Sequence, residues 1–334
     1  MQIRKLLLQL FVLCSIFVLA SVGCSGKNSS EPTATAEVIV QPSPTPKPDR
    51  VVLIAGSGAD ADTLAEASMV VGELAVGSGL EFEQREQLET NELTSDIRIA
   101  IFLSHPDNLG SLANAAPQTQ FIAISDRDWT PVSNVTIIRV RPENQVFLAG
   151  YITALLPDNY RAGGLLPSGN DQENTAFRNG VFYYCGLCQS NVYPLNRYPA
   201  LITVGAGSPP VAWVAGFEEI NLNTVKALYI TPDAYSSELF GYLINYNIPL
   251  IGISKPPSEV TPFWAATVLS DSIVVVRQIW DQILEGQGGR VLNAGLKMVD
   301  VNAEIFSQGK QLYVQDLINL LQAGEVYALD IAVE

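Results

Sequence analysis

Beyond residue 50 the chain alternates short unbroken apolar runs with longer stretches whose apolar residues recur every three or four positions. The first texture predicts buried strands and the second predicts helices packed by one face. Strands are expected at 51–55, 97–102, 120–124 and 135–139, with helices at 61–74 and 146–156, the latter stopped by Pro157. The alternation then restarts. A strand at 161–166 precedes a helix at 172–184, and strands follow at 200–204, 225–230 and 249–253. A helix at 236–246 separates the last two; a strand at 264–269 and helices at 272–284 and 314–321 complete the pattern. Strand–helix alternation of this kind builds parallel sheets covered by helices on both faces. The strands are too many for one sheet, so the pattern predicts an α/β protein of two Rossmann-like lobes joined by a multi-crossover hinge. The first crossing is expected within Asp158–Gly164, with Ser254–Pro262 and Gly286–Ala294 as candidate returns. The first lobe would then span about 51–158 plus about 270–295, and the second about 161–262 plus the C-terminal segment.

The front of the chain reads differently. Arg4 and Lys5 precede an apolar run from Leu6 to Ala20, interrupted only by Gln9 and Ser15, and small residues lead to Cys24. That is the anatomy of a secretory signal, expected to end at residue 23. Ala20-Ser21-Val22-Gly23-Cys24 resembles the lipobox of bacterial lipoproteins, in which the Cys is acylated and becomes the mature N-terminus; Ser21 stands where Leu is more usual. An ordinary signal peptide or an uncleaved anchor is the other reading, but Leu6–Val22 is short against the roughly 20 apolar residues of a span. Residues 24–50 are rich in Ser, Thr, Pro and Lys and end in Gln41-Pro-Ser-Pro-Thr-Pro-Lys-Pro48. Such a segment cannot bury enough surface to offset its ordering entropy, and its prolines favour extended backbone. It reads as a tether.

Composition narrows the functions. Of 334 residues 48% are hydrophobic, which is ample for a large core, and the formal net charge is −15. An acidic surface argues against nucleic acid and against peripheral binding to anionic lipid, so membrane attachment would come from acyl chains. Cys14 lies in the signal and Cys24 is the lipidation candidate, leaving Cys185 and Cys188 for the folded part, with His105 the only histidine. A closed zinc site needs four ligands, so no metal is expected. Cys185-Gly-Leu-Cys188 follows a predicted helix. A helix start, which would activate a thiol, is absent there, and in an oxidising compartment a local disulfide is expected.

Val146-Phe-Leu-Ala-Gly-Tyr-Ile-Thr-Ala-Leu-Leu156, Ala162-Gly-Gly-Leu-Leu-Pro167 and Phe177-Arg-Asn-Gly180 resemble the basic membrane protein family. The resemblance implies a type I periplasmic-binding-protein-like fold and an extracytoplasmic substrate-binding lipoprotein of an ABC importer; several members bind nucleosides. In those members the first loop carries an Asp followed shortly by Ser-Phe-Asn. Here it is Gly58-Ala-Asp-Ala-Asp-Thr-Leu64, which keeps Asp60 and Asp62 without the stacking Phe or the Asn. A late strand that typically ends Gly-Val-Asp here ends Gly252-Ile253-Ser254, followed by Lys255. Loss of a carboxylate that accepts two hydroxyl bonds would leave a ribose poorly satisfied.

In open α/β sheets ligands sit beyond the carboxyl ends of the strands. The candidate ligand contacts are therefore Ser57, Asp60, Asp62, Ser104, His105, Asp126, Trp129, Asn170, Asp171, Thr231, Asp233 and Ser254. Most have a plainer reading. The segment from Ser168 to Asn174 would cap a helix, as would Thr231 and Asp233; Asp126-Arg-Asp-Trp129 would be a solvated turn; and His105 would be incidental to its loop. Gly56-Ser-Gly-Ala-Asp-Ala61 formally matches the dinucleotide pattern G-x-G-x-x-A, with Glu81 or Glu83 as the ribose-binding acid. The signal lacks the twin arginine that exports folded cofactor proteins, which favours a tight turn. No G-x-S-x-G is present, and Ser307-Gln-Gly-Lys310 lacks the companions of its enzyme class. The reading is a monomeric, cofactor-free, non-enzymatic solute-binding lipoprotein on the extracytoplasmic face of a bacterial membrane. It would hold a small polar ligand and serve an ABC permease. A solute sensor for a membrane receptor, or an extracytoplasmic cofactor-binding enzyme, are the alternatives.

Overall fold

The computed structural model describes residues 47–56, 59–191, 193 and 195–330. The signal, Cys24, most of the tether and Ser57 lie outside the described residues. In the first lobe, strand β1 (Arg50–Ile54) and helix α1 (Ala61–Gly77) are followed by β2 (Glu81–Arg85), β3 (Ile97–Phe102), α2 (Leu109–Ala115), β4 (Gln120–Ser125) and β5 (Val135–Arg139). The second lobe begins with α3 (Pro142–Leu155), β6 (Ala162–Ser168), α4 (Asp171–Cys185), β7 (Ala200–Gly205) and α5 (Pro210–Asn221). It continues with β8 (Ala227–Ile230), α6 (Ser237–Leu243), β9 (Leu250–Gly252) and β10 (Trp264–Asp271). Helix α7 (Ser272–Leu284) and β11 (Val291–Asn293) return to the first lobe, and β12 (Gly295–Val299) and α8 (Gln308–Ala323) to the second.

Two six-stranded sheets result, in the orders β2-β1-β3-β4-β5-β11 and β7-β6-β8-β9-β10-β12. The first is wholly parallel; in the second only β12 runs antiparallel, against β10. The period-two rule explains why the first sheet takes helices on both sides. Val51, Leu53, Ile122 and Ile124 join the core beneath α1 and α7, while Val52, Ile54, Phe121 and Ala123 join the core beneath α2. Full burial of each such side chain contributes roughly 1.5–3 kcal/mol.

The crossings differ from those expected. The chain leaves the first sheet directly after Arg139, and α3 packs within the second lobe's core, chiefly on α4. Asp158–Gly164 is thus internal to the second lobe. Ser254–Pro262 does not return to the first lobe either, because β10 pairs in parallel with β9. The actual returns are Asp271–Ser272, between β10 and α7, and Ala294, between β11 and β12; the second lies at the end of the expected Gly286–Ala294 segment. Helix α3 misled because every residue from Val146 to Leu155 is buried. An all-round apolar helix declares that it is buried without saying against which sheet.

Candidate functional site

The carboxyl ends of β1, β3 and β4 present the first lobe's loops. After β1, Asp60 caps α1, its Oδ2 accepting from the Thr63 N–H at 2.8 Å and the Thr63 hydroxyl at 2.9 Å. Those bonds, the backbone one first, hold its carboxyl below the usual range. Asp60 lines a cavity of about 330 Å³ with Gly56, Ala59, Thr63, Leu103 and Ser104. Ser104 is exposed there and also borders a second hollow of about 340 Å³ beside Leu88 and Asn108. His105 stands edge-on to Trp129, ring centroids 5.9 Å apart. Its imidazole is held below its usual range, by burial first and the Arg127 guanidinium second. Trp129 is half-buried and packs against the core beneath α2. Asp126 is exposed beside it, and Asp128 is committed to Arg139 at 2.7 Å.

In the second lobe β6 and β8 are neighbours, with the Thr231 N–H donating to the Leu165 carbonyl at 3.1 Å. This brings the start of α4 beside the turn after β8. Asn170 caps α4, its Oδ1 accepting from the Glu173 N–H at 3.2 Å; Asp171 is exposed in the first turn, where a carboxylate complements the helix dipole. Thr231 is buried and Asp233 exposed. Glu173, part of the Ser168–Asn174 segment but not singled out from the sequence, faces Asp233, and Tyr229, which the sequence did not point to, lies wholly buried beneath both. Burial pushes the Tyr229 phenol well up, with Glu173 the next cause.

Burial also raises the Glu173 carboxyl, the Asp233 charge adds to this and the Asn170 side chain opposes it. A carboxyl raised in the native state binds more protons folded than unfolded. Its contribution to stability is therefore full below the ordinary value of 4.5 and is lost as pH climbs through the raised native value. Glu173→Gln should raise the thermal midpoint at pH 7 and flatten its fall with pH above 4.5. Thermal scans across that range check it; a lower midpoint in the variant at pH 7 would show that the carboxylate is a stabilising partner instead.

The lobes are tied together at the cleft. Lys255, just past β9 and Ser254, forms an ion pair with Asp62 in the first turn of α1, 193 positions away in sequence. Lys297 on β12 grips both oxygens of Glu66, one turn further along α1, at 2.7 and 2.8 Å, and lies 3.7 Å from Asp271 at the β10–α7 crossing. Ser254 contributes its carbonyl, which accepts from the Tyr235 hydroxyl at 3.2 Å. Of the sequence candidates the structure thus joins Asp62 to the Ser254 loop, His105 to Trp129, and Asn170 to Asp233 through Glu173. Cys185, the last residue of α4, and Cys188 are bonded to each other, outside all of these loops.

No protein-family profile matches the chain, and no curated protein does. Solved structures do. An ABC transporter system solute-binding protein from Conexibacter woesei superposes with a TM-score of 0.60 at 16% identity, covering 84% of this chain and 98% of its own. A transcriptional activator of the comK gene from Bacillus halodurans gives 0.57 at 11%, covering 83% and 99%. An ABC transporter system solute-binding protein from Aeropyrum pernix gives 0.53 at 15%, covering 84% and 93%. At such identities the likeness is one of fold: the two-lobed α/β periplasmic-binding-protein-like architecture.

Proposed function

We propose that this chain is a lipid-anchored extracytoplasmic solute-binding protein, related to the basic membrane protein family. It would capture a small polar ligand between its lobes and deliver it to an ABC permease. The observation that carries the reading is the cross-lobe pairing of Asp62 with Lys255, which places the loops after β1 and β9 against each other across one cleft. A three-crossing hinge lets such lobes swing, and a ligand touching both stabilises the closed state by its differential contacts. The fold is shared with two proteins named as ABC transporter solute-binding proteins. The signal, Cys24 and the proline-rich tether support the membrane location.

The test is thermal shift of the full chain, purified from membranes in detergent, against nucleosides, sugars, amino acids and other small metabolites. One class should raise the midpoint, because a ligand at a hundredfold its Kd adds about 2.7 kcal/mol. No shift from any class, together with turnover or a bound nicotinamide, would replace this reading by the enzymatic one. Mass spectrometry of the mature N-terminus should find an acylated Cys24, and an intact Met1 would remove the membrane location.

A further inference from the structure

Beside the cross-lobe pair lies a cavity of about 630 Å³ in the second lobe, bordered by Lys255, Ser258, Thr261, Trp264, Asp300 and Asn302. Its two charges are of opposite sign and interact with each other. Lys255 carries three ammonium donors, and Asp62 takes one. Asp300 is held by a directional relay. The buried Trp264 indole N–H donates to the Thr267 hydroxyl at 2.9 Å, so that hydroxyl turns its own proton to Asp300 Oδ2 at 2.8 Å. Among the described residues no ion pair engages Asp300, and Oδ1 is left without a protein donor. Asp300 also adopts left-handed backbone, φ 51°, a conformation in which Asp and Asn are enriched among non-glycine residues. The relay orients this carboxylate, which is exposed at the edge of the cavity.

We propose that this cavity receives a small zwitterion, its carboxylate on Lys255, its ammonium on Asp300 Oδ1, and its body against Trp264. The inference rests on the solute-binding reading and names the ligand class for it. A simple anion would meet the Asp300 carboxylate and a simple cation the Lys255 ammonium. Lys255 and Asp300 are both exposed at the cavity, and Lys255 keeps its pair with Asp62, so a molecule with both charges is the one that gains a charge-assisted bond at each wall, with the Ser258, Thr261 and Asn302 side chains as neutral hydrogen-bonding groups around it.

The experiment is calorimetric titration and thermal shift of the full chain with the twenty free amino acids, β-alanine and γ-aminobutyrate, beside their N-acetyl and carboxamide derivatives, nucleosides and sugars. At least one free zwitterion should bind, and its derivatives should not. Asp300→Asn and Lys255→Gln should each weaken it at least about tenfold, the size of one lost charge-assisted bond. Asn keeps both the left-handed backbone and an acceptor for Thr267, so Asp300→Asn should retain the wild-type circular dichroism. Binding of a zwitterion with equal affinity by both variants would overturn the assignment. So would binding of a nucleoside or sugar with no zwitterion bound, an outcome that leaves the solute-binding reading standing. No binding by any compound would overturn both.

Discussion

Gly180→Val is expected to destabilise the second lobe by at least about 3 kcal/mol, enough to lose its cooperative unfolding transition at moderate denaturant. Two Phe-x-x-Gly segments cross here, Phe147–Gly150 on α3 and Phe177–Gly180 on α4. A Cβ at Gly180 would strike the Phe147 carbonyl oxygen and come within 2.8 Å of its carbon; one at Gly150 would strike the Phe177 carbonyl oxygen. Backbone atoms of two packed helices cannot turn aside as a flexible side chain can, so the helices must separate and the core around Phe147 and Phe177 must loosen. Urea denaturation followed by circular dichroism measures the loss. The matched control is Gly241→Ala on α6, where a Cβ meets nothing within 4 Å. It should stabilise by about 0.5–1 kcal/mol through helix propensity alone. A Gly180→Val protein with wild-type stability would mean that α3 and α4 do not cross at these glycines.

The same glycines explain what the sequence could and could not reveal. Strands buried on both faces announce themselves: 97–102 and 135–139 were legible to the residue, as was the helix 272–284, whose apolar face is single and regular. Strand β2 was silent. Its sequence Glu-Phe-Glu-Gln-Arg is that of a sheet edge, where charges such as Glu83, paired with Arg50 and Arg85, replace an apolar pattern and protect the open side. Strand β11 has only three residues, so periodicity has too few positions to act on, and β12, with Lys297 at its centre, is half-exposed over its last three residues. In the site, local chemistry was readable. Asn170, in the Ser168–Asn174 segment expected to cap a helix, sits three residues before the amide it caps; Asp60 caps α1 with the same spacing, although it was expected only as a ligand contact. The partnerships that join the lobes were not, because Asp62 with Lys255 and Glu66 with Lys297 are about two hundred positions apart and exist only after both sheets form. Glu173 and Asp233 meet for the same reason, through the neighbouring of β6 and β8. Asp300 gave no signal in sequence, because the strand it follows, β12, was itself not legible.

Gly252→Ala should have the second large effect, and it reports on the site as well as on the fold. Gly252 closes β9, just before Ile253 and Ser254. A Cβ at Gly252 would collide with the Tyr235 hydroxyl and lie 2.6–2.7 Å from two ring carbons of Trp264. Neither ring is free to yield. Trp264 is 1% exposed and tied through its N–H to Thr267, and Tyr235 donates to the Ser254 carbonyl. Displacing Trp264 therefore pulls on the Thr267–Asp300 relay, and displacing Tyr235 pulls on the loop that carries Lys255. The expected cost is about 2–3 kcal/mol by denaturation, with weakened ligand binding at temperatures where the variant is still folded. Adding Tyr235→Phe removes the hydroxyl from the collision and should recover part of the lost stability, a coupling of about 1 kcal/mol in a double-mutant cycle. It should not recover binding to the same extent, since the Trp264 contact and the lost bond to Ser254 remain. Full additivity of the two substitutions would place Tyr235 away from Gly252 and break the link between this strand end and the cavity wall.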